Sequence, residues 1–120
     1  MVLVDTSVWV RHFREGDPHL VRLLEAGEVL FHPFIVGELA CGNLKNRREI
    51  LSLLELLPLA VQAKHGEILK FIEQNRLMGK GLGYIDVQLL ASAVLTGIPL
   101  WTLDKKLNEA NEGLDQGRRF

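Results

Sequence analysis

Four acidic side chains stand in apolar stretches at separate places along the chain. Asp5 lies within VLVDTSVWV, Glu38 within VGELACG, Asp86 within YIDVQLLASAVLTG, and Asp104 directly after PLWTL. A buried carboxylate is costly unless it meets a cation, hydrogen-bond donors or a proton, and four that converge cannot all stay ionised without cations. Mg²⁺ accepts oxygen ligands octahedrally and keeps several waters, so a few carboxylates suffice to bind it. This pattern predicts a magnesium site.

Each of these acids also has an ordinary structural explanation. Asp5 could cap a helix that begins at Thr6, and Asp104 could cap the short helix KKLNEAN. Asp86 could be a helix N-cap, although position 89 carries no Glu or Gln to complete a capping box. Glu38 could lie at a helix rim and reach water. The individual residues therefore leave the choice between a site and a set of caps open.

The position of Glu38 on its helix favours the site. In PFIVGELACGN a step of 100° per residue places Glu38 about 40° from Phe34 and about 60° from Ile35, inside the apolar arc. A solvated glutamate is expected on the opposite face. The small residues Gly37 and Cys41 leave room beside it.

Apolar runs alternate with stretches of helical period, which predicts a parallel sheet covered by helices. We expect strands near 2 to 5, 28 to 32, 59 to 62 and 99 to 103. Local signals start or end the helices between them: Thr6 after the first strand, the Asp17-Pro18 pair, Pro33, Asn46 before RREILSLLELL, glycines at 79, 81 and 83 after a helix over about 63 to 78, and Gly97. Because ligands bind at the carboxyl ends of parallel strands, Asp5 and Asp104 are expected at one edge.

Length and composition are typical of one soluble domain over residues 1 to 120. The apolar fraction is 48% and the charged fraction 24%. The opening lacks a basic region and a cleavage site, and no apolar stretch approaches about 18 residues. Cys41 is the single cysteine and cannot form an internal disulfide, so we expect a reducing cytoplasm, with Cys41 as a small core residue.

The net charge of −1 does not by itself indicate nucleic-acid binding. With the four candidate acids set aside, however, 14 basic groups face 11 acidic groups. Ordinary solvated surface also explains each basic residue. Trp9 and Trp101 are expected in the core, and the four histidines show no paired spacing of a metal site. The basic residues available to RNA phosphates are Arg11, Arg14, Lys45, Arg47, Arg48, Lys80, Lys105 and Lys106.

Taken in order, the acidic stretches resemble the motifs of the PIN-domain ribonucleases, in particular the VapC-type toxins of bacterial and archaeal toxin–antitoxin pairs. VLVDTSVWV is similar to the first motif and VGELACG to the second. YIDVQLLASAVLTGIPLWTLDKKL is similar to the third and fourth in sequence and spacing. One such motif is weak evidence, whereas four in order over nearly the whole chain are specific.

The resemblance implies a PIN-like three-layer α/β fold with a central, mostly parallel sheet of four or five strands covered by helices. It implies that Asp5, Glu38, Asp86 and Asp104 are the catalytic cluster that holds Mg²⁺ or Mn²⁺, with Asp5 and Asp86 as the direct ligands. The chain departs from the family at its end, because LDQGRRF contains no convincing final strand.

Two hydroxyl residues, Ser7 and Thr102, match the positions at which the family places hydroxyls beside the acids. An ordinary helix start and strand end explain them equally well. The resemblance further implies hydrolysis of RNA by a metal-activated water, a homodimer, and inhibition by a small antitoxin whose C-terminal segment covers helices near the site. ILSLLELL and HLVRLLEAG could form such a groove, although core packing explains both.

Three other classes of protein are alternatives to a ribonuclease. A receiver domain needs adjacent acids after the first strand and a further phosphoacceptor aspartate at mid-chain, and neither is visible. A haloacid dehalogenase-type phosphatase needs a second aspartate where this chain has Ser7. The remaining alternative is a PIN-like module that binds RNA or a partner without cleaving it.

Overall fold

Three parallel strands form one sheet at the centre of the molecule. The computed structural model describes residues 1–114, with β1 (Val2–Val4), β2 (Val29–Leu30) and β3 (Leu100–Trp101) arranged in the order β2-β1-β3. Leu3 of the central strand is paired with Leu30 on one side and Leu100 on the other. Helices cover the sheet, so its central strand reads as an uninterrupted apolar run. The predicted α/β class with a parallel sheet is confirmed.

The strand predicted at 59 to 62 is reduced to a single parallel bridge between Phe31 and Leu59. Pro58 has no N–H to donate to a ladder, and the amide of Val61 donates to the side chain of Thr96 at 3.0 Å. The ladder therefore cannot continue past the bridge. Within residues 1–114 the sheet has three strands, fewer than the four or five expected.

Seven helices lie within residues 1–114, and their starts follow local signals. Asp17 caps the second helix, because its carboxylate accepts a hydrogen bond from Leu20 N at 3.0 Å. The predicted starts at Thr6, Pro18, Pro33 and after Asn46 are confirmed. The bounds are α1 (Thr6–Glu15), α2 (Pro18–Glu25), α3 (Pro33–Cys41), α4 (Arg47–Leu54), α5 (His65–Asn75), α6 (Tyr84–Thr96) and α7 (Lys105–Leu114).

The ends of two helices differ in how well the sequence predicted them. Gly97 has φ +74° and closes α6 as expected. The helix predicted to reach about residue 78 instead stops at Asn75, because Arg76 adopts the left-handed conformation with φ +52°. Leu77 N then donates to Ile72 O at 3.0 Å, and the helix ends four residues before the first of the predicted glycines.

The core gathers around α6, from which seven consecutive residues, 87 to 93, are buried. Trp9 is buried as predicted, whereas Trp101 is only half-buried and packs against the ring of His19. The prediction that Cys41 is a core residue is wrong, because it lies exposed in the last turn of α3.

No helix within residues 1–114 is long and apolar enough to cross a membrane. Leu114 closes α7, and the rest of LDQGRRF lies outside the described residues, as does the predicted absence of a final strand.

Candidate active site

The carboxyl edge of the sheet carries the starts of four helices. Since the strands are parallel, α1 after β1, α3 after β2 and α7 after β3 all begin at this edge. Helix α6 precedes β3 and runs back against it, so its first turn also lies there. This topology explains how four acids far apart in sequence reach the same side of the molecule.

Asp5 is the buried acid of this edge, with a side chain only 5% exposed. Its backbone N–H donates to Trp101 O at 2.9 Å, which ties the end of β1 to β3. It occupies the N-cap position of α1, yet its side chain caps no backbone N–H. Instead Oδ2 accepts hydrogen bonds from Ser7 Oγ at 2.8 Å and from Thr102 Oγ1 at 2.7 Å. The explanation of this carboxylate as a helix cap is therefore wrong.

The two hydroxyls that hold Asp5 also hold the segment that follows β3. Ser7 Oγ accepts a hydrogen bond from Leu103 N, and Thr102 Oγ1 accepts one from Asp104 N, each at 3.0 Å. A hydroxyl has one hydrogen to donate and can accept at its lone pairs. Each of these two hydroxyls therefore donates its hydrogen to Asp5 and accepts from the backbone. The network connects the carboxylate of Asp5 to the backbone of Asp104.

Asp104 and Asp86 both act at helix starts. Asp104 Oδ1 accepts a hydrogen bond from Leu107 N at 2.9 Å, so its explanation as the cap of α7 is confirmed. Asp86 Oδ2 accepts from Gly83 N at 2.9 Å. The N-cap of α6 is Gly83, and Asp86 lies three residues later in the first turn. The explanation of Asp86 as the N-cap residue is therefore wrong, although its side chain does accept a hydrogen bond from the N-cap backbone.

Glu38 reaches the same edge from α3. Its Oε1 accepts a hydrogen bond from Thr6 Oγ1 at 2.8 Å, which places it beside the residue that follows Asp5. Glu38 is exposed, because α3 buries only Ile35 and Leu39. The predicted position inside an apolar arc is therefore wrong, and the rim explanation describes its exposure correctly.

The four carboxylates share one arrangement: a protein donor holds one oxygen of each, and no described residue donates a hydrogen bond to the other. None of them forms an ion pair within residues 1–114, where the pair that does form joins Arg11 to Asp17. Oriented carboxylate oxygens without a competing cation are suitable ligands for Mg²⁺ or Mn²⁺.

The acids nevertheless do not form a closed coordination shell. In residues 1–114, no three His, Cys, Asp or Glu side chains lie close enough together to hold a metal ion. An ion bound through Asp5 would require the other three acids to rotate toward it. Rotation costs little for the exposed Glu38, whereas Asp86 is half-buried, and Asp86 and Asp104 each accept a hydrogen bond at a helix start that rotation would weaken.

Sequence reasoning missed two residues of this region. Thr6 was considered only as a helix start, although its hydroxyl orients Glu38. His32 is fully buried at the N-cap of α3, where Nδ1 accepts from Phe34 N at 3.0 Å. Burial lowers the pKa of His32 to about 4. The adjacency of Thr6 to Asp5 was a usable signal, whereas a lone histidine before Pro33 was not.

Comparison with known proteins identifies the family of this chain. The PIN domain family matches residues 2–113. The chain is 45% identical over 111 residues to Ribonuclease VapC32 of Mycobacterium tuberculosis strain CDC 1551 / Oshkosh, an alignment that covers 92% of this chain and 90% of the relative. Ribonuclease VapC32 of strain ATCC 25618 / H37Rv matches to the same extent. The parallel sheet, the acids at its carboxyl edge and these matches together show that the chain belongs to the PIN-domain family.

Proposed function

We propose that this protein is a Mg²⁺-dependent endoribonuclease toxin that hydrolyses RNA phosphodiester bonds. Asp5, Glu38, Asp86 and Asp104 are the catalytic residues and would hold the ion. The observation that carries the proposal is the state of Asp5: a buried carboxylate, held at Oδ2 by Ser7 and Thr102, with an oxygen left over and no cation beside it among the described residues.

The residues of this chain prepare the site for a divalent ion. Ser7 and Thr102 fix the rotation of the Asp5 carboxylate, so Oδ1 is directed away from the two hydroxyls. Glu38, Asp86 and Asp104 add negative charge at the same edge, which attracts a divalent cation. When bound, the ion supplies a water of lowered pKa and stabilises the charge that develops on phosphate oxygens.

The products follow from the nucleophile. Water, not the ribose 2′-oxygen, attacks phosphorus, and the P–O3′ bond breaks with the 3′-oxygen as the leaving group, so the fragments carry a 5′-phosphate and a 3′-hydroxyl. Mn²⁺ has similar ligand preferences and should replace Mg²⁺. Fragments ending in a 2′,3′-cyclic phosphate would contradict this chemistry.

A cognate antitoxin is the proposed inhibitor, acting by covering the acidic edge. A 680 Å³ groove lies beside Glu38 between α1, α3 and the start of α4, with Phe13, Leu44 and Ile50 among its apolar lining. The segment ILSLLELL contributes Ile50 to this groove. A homodimer is also proposed, on the resemblance alone.

The alternative is a PIN-like module that binds RNA or a partner without cleaving. One observation favours it: no three His, Cys, Asp or Glu side chains within residues 1–114 lie close enough together to hold a metal ion, and each of the four acids already accepts a hydrogen bond from the protein. The same cleavage assay separates the two functions.

The test is cleavage of a single-stranded RNA by the purified chain, with Mg²⁺ and with EDTA. Asp5→Asn should lower the rate by about 10²-fold or more, because removing a ligand disturbs both metal position and water activation. Asp17→Asn is the matched control: this aspartate is also buried at an N-cap, but it pairs with Arg11 and caps α2. It should lower thermal stability and keep the rate per folded molecule. Equal rates for wild type and Asp5→Asn, or undiminished cleavage in EDTA, would overturn the proposal.

A further inference from the structure

A cleft of 730 Å³ separates the end of α5 and the loop over residues 76–83 from helix α7. Arg76, Lys80 and Lys106 line it, and among the residues that the structure describes Glu109 is the one acidic residue of the lining. Leu77 and Leu114 are buried and form part of its floor. The cleft therefore combines three cationic side chains with an apolar floor.

The cations of this cleft are exposed and form no ion pair with any residue in the described part of the chain. Within residues 1–114, no carboxylate lies within salt-bridge distance of Arg76, Lys80 or Lys106. The lining charge is positive, although the whole chain carries a net charge of −1. A concave surface lined by one sign of charge concentrates ligands of the opposite sign.

The position of Lys106 depends on a glycine in the facing loop. A Cβ atom added at Gly81 would lie 2.9 Å from both Cδ and Nζ of Lys106. The Lys106 side chain therefore lies directly over the bare backbone of Gly81. Any side chain at position 81 would displace the ammonium group.

Arg76 is placed by an unusual backbone conformation. It adopts φ +52° at the end of α5, where glycine is the ordinary residue because it has no Cβ to strain. An arginine kept in a left-handed conformation suggests a use for its side chain.

Both walls of the cleft lead directly to the candidate active site. Lys106 follows Asp104 by two residues, about 3 Å of rise along α7. Gly81 precedes Gly83 by two residues, and the N–H of Gly83 holds the carboxylate of Asp86. A polyanion in the cleft would thus continue onto the acidic edge of the sheet.

We propose that this cleft binds the sugar-phosphate backbone of single-stranded RNA next to the phosphate that is cut. The inference rests on the proposed function. The described lining contains no aromatic ring on which a base could stack, so its contacts position the strand without reading its sequence. An acidic segment of a protein partner is the competing occupant, and the test below includes it.

The first test measures the affinity for a fluorescently labelled single-stranded RNA in EDTA, over a range of salt concentrations. Each phosphate contact contributes about 0.7 to the slope of log affinity against log salt for a single strand. Lys80→Ala combined with Lys106→Ala should weaken binding and reduce this slope by about 1.4. Lys64→Ala combined with Lys70→Ala removes the same charge from exposed positions outside the cleft and should leave both quantities unchanged.

The second test displaces Lys106 without removing its charge. Gly81→Ala and Gly79→Ala carry similar backbone strain, because the two glycines have φ of +76° and +71°. Nothing lies within 4 Å of a Cβ at Gly79. The two variants should lose similar thermal stability, and Gly81→Ala alone should weaken RNA binding by severalfold.

Equal RNA affinities for the cleft variants and their controls would overturn the proposal, and so would a wild-type chain that binds poly-glutamate but not RNA. Because binding is measured without metal, the result does not depend on cleavage. A chain that cuts RNA while its cleft variants bind normally disproves the cleft alone. A chain that binds RNA through the cleft but never cuts it disproves the proposed function and supports the cleft.

Discussion

The carboxylate of Asp5 and the hydroxyl of Thr102 are 97 positions apart in sequence and 2.7 Å apart in the structure. The same hydroxyl accepts the backbone N–H of Asp104 at 3.0 Å. One threonine therefore holds the carboxylate at the end of β1 and the backbone that follows β3.

Thr102→Val should lower RNA cleavage about 10- to 100-fold, the usual effect of removing a partner that orients a metal ligand. Valine keeps the shape but leaves Asp104 N without its acceptor, so stability should fall by about 1 kcal/mol. Thr96→Val is the matched control, since this hydroxyl accepts from Val61 N at 3.0 Å outside the site. Rate and melting temperature should separate the variants: both less stable, only Thr102→Val slow. Equal loss of rate in both would indicate a purely structural role for Thr102.

Asp86→Asn should abolish most of the stabilisation that Mg²⁺ gives the wild type. Ligand binding raises the free energy of unfolding by RT ln(1 + [L]/Kd), about 2.7 kcal/mol at a hundredfold excess over Kd. Asparagine can still accept the hydrogen bond from Gly83 N, so the two proteins should melt within a few degrees of each other in EDTA. Melting curves along a Mg²⁺ titration measure the difference. Identical responses to Mg²⁺ would remove Asp86 from the site.

His32 should make the fold sensitive to acid between pH 6.5 and about 4. Burial lowers its pKa from 6.5 to about 4, so the unfolded chain takes up a proton in this interval before the folded chain does. The unfolded state then binds more protons, and the free energy of unfolding falls as the pH drops. His32→Asn can keep an acceptor for Phe34 N without titrating, and its melting temperature should change less from pH 6.5 to 4.5.

A second acid-sensitive group, Asp17, should act at lower pH. The backbone N–H of Leu20 and the Arg11 guanidinium hold the pKa of this carboxyl below its ordinary 3.8. Its stabilisation is present above that value and is lost as the pH falls through the lowered pKa. Asp17 therefore does not account for a change above pH 4.5. A wild type and His32→Asn with parallel pH profiles would contradict the assignment to His32.

Arg76→Gly should stabilise the protein and weaken its RNA binding. Glycine relieves the left-handed strain at the end of α5 and should add about 1 kcal/mol to the free energy of unfolding. It also removes one cation of the cleft, so the salt slope of single-stranded RNA binding should fall by about 0.7. Thermal melting and the binding titration in EDTA test the two effects separately. If the variant were more stable but bound RNA with unchanged affinity, Arg76 would have no role in RNA binding and would serve only to end α5.

Several helix starts and ends could be predicted from the sequence because they depend on neighbouring residues only. Asp17 before Pro18 and Gly97 after an apolar run set helix ends within a few residues of themselves, because capping and backbone strain act at short range. Helix α5 shows the limit of such signals, since Arg76 takes a conformation that sequence assigns to glycine. The failure of the strand at 59 to 62 depended on Thr96, a distant competitor for the amide of Val61.

The candidate site likewise has features that the sequence predicted and features that only the tertiary structure shows. The sequence alone supplied the identity and order of the four acids, and the cap role of Asp104 was visible from its place before a short helix. Only the tertiary structure decided that Asp5 bonds to Ser7 and Thr102 instead of capping α1, and that Glu38 is exposed beside Thr6. Hydrogen bonds between the ends of different strands depend on how the sheet brings those ends together, and no periodicity within one element encodes that distance.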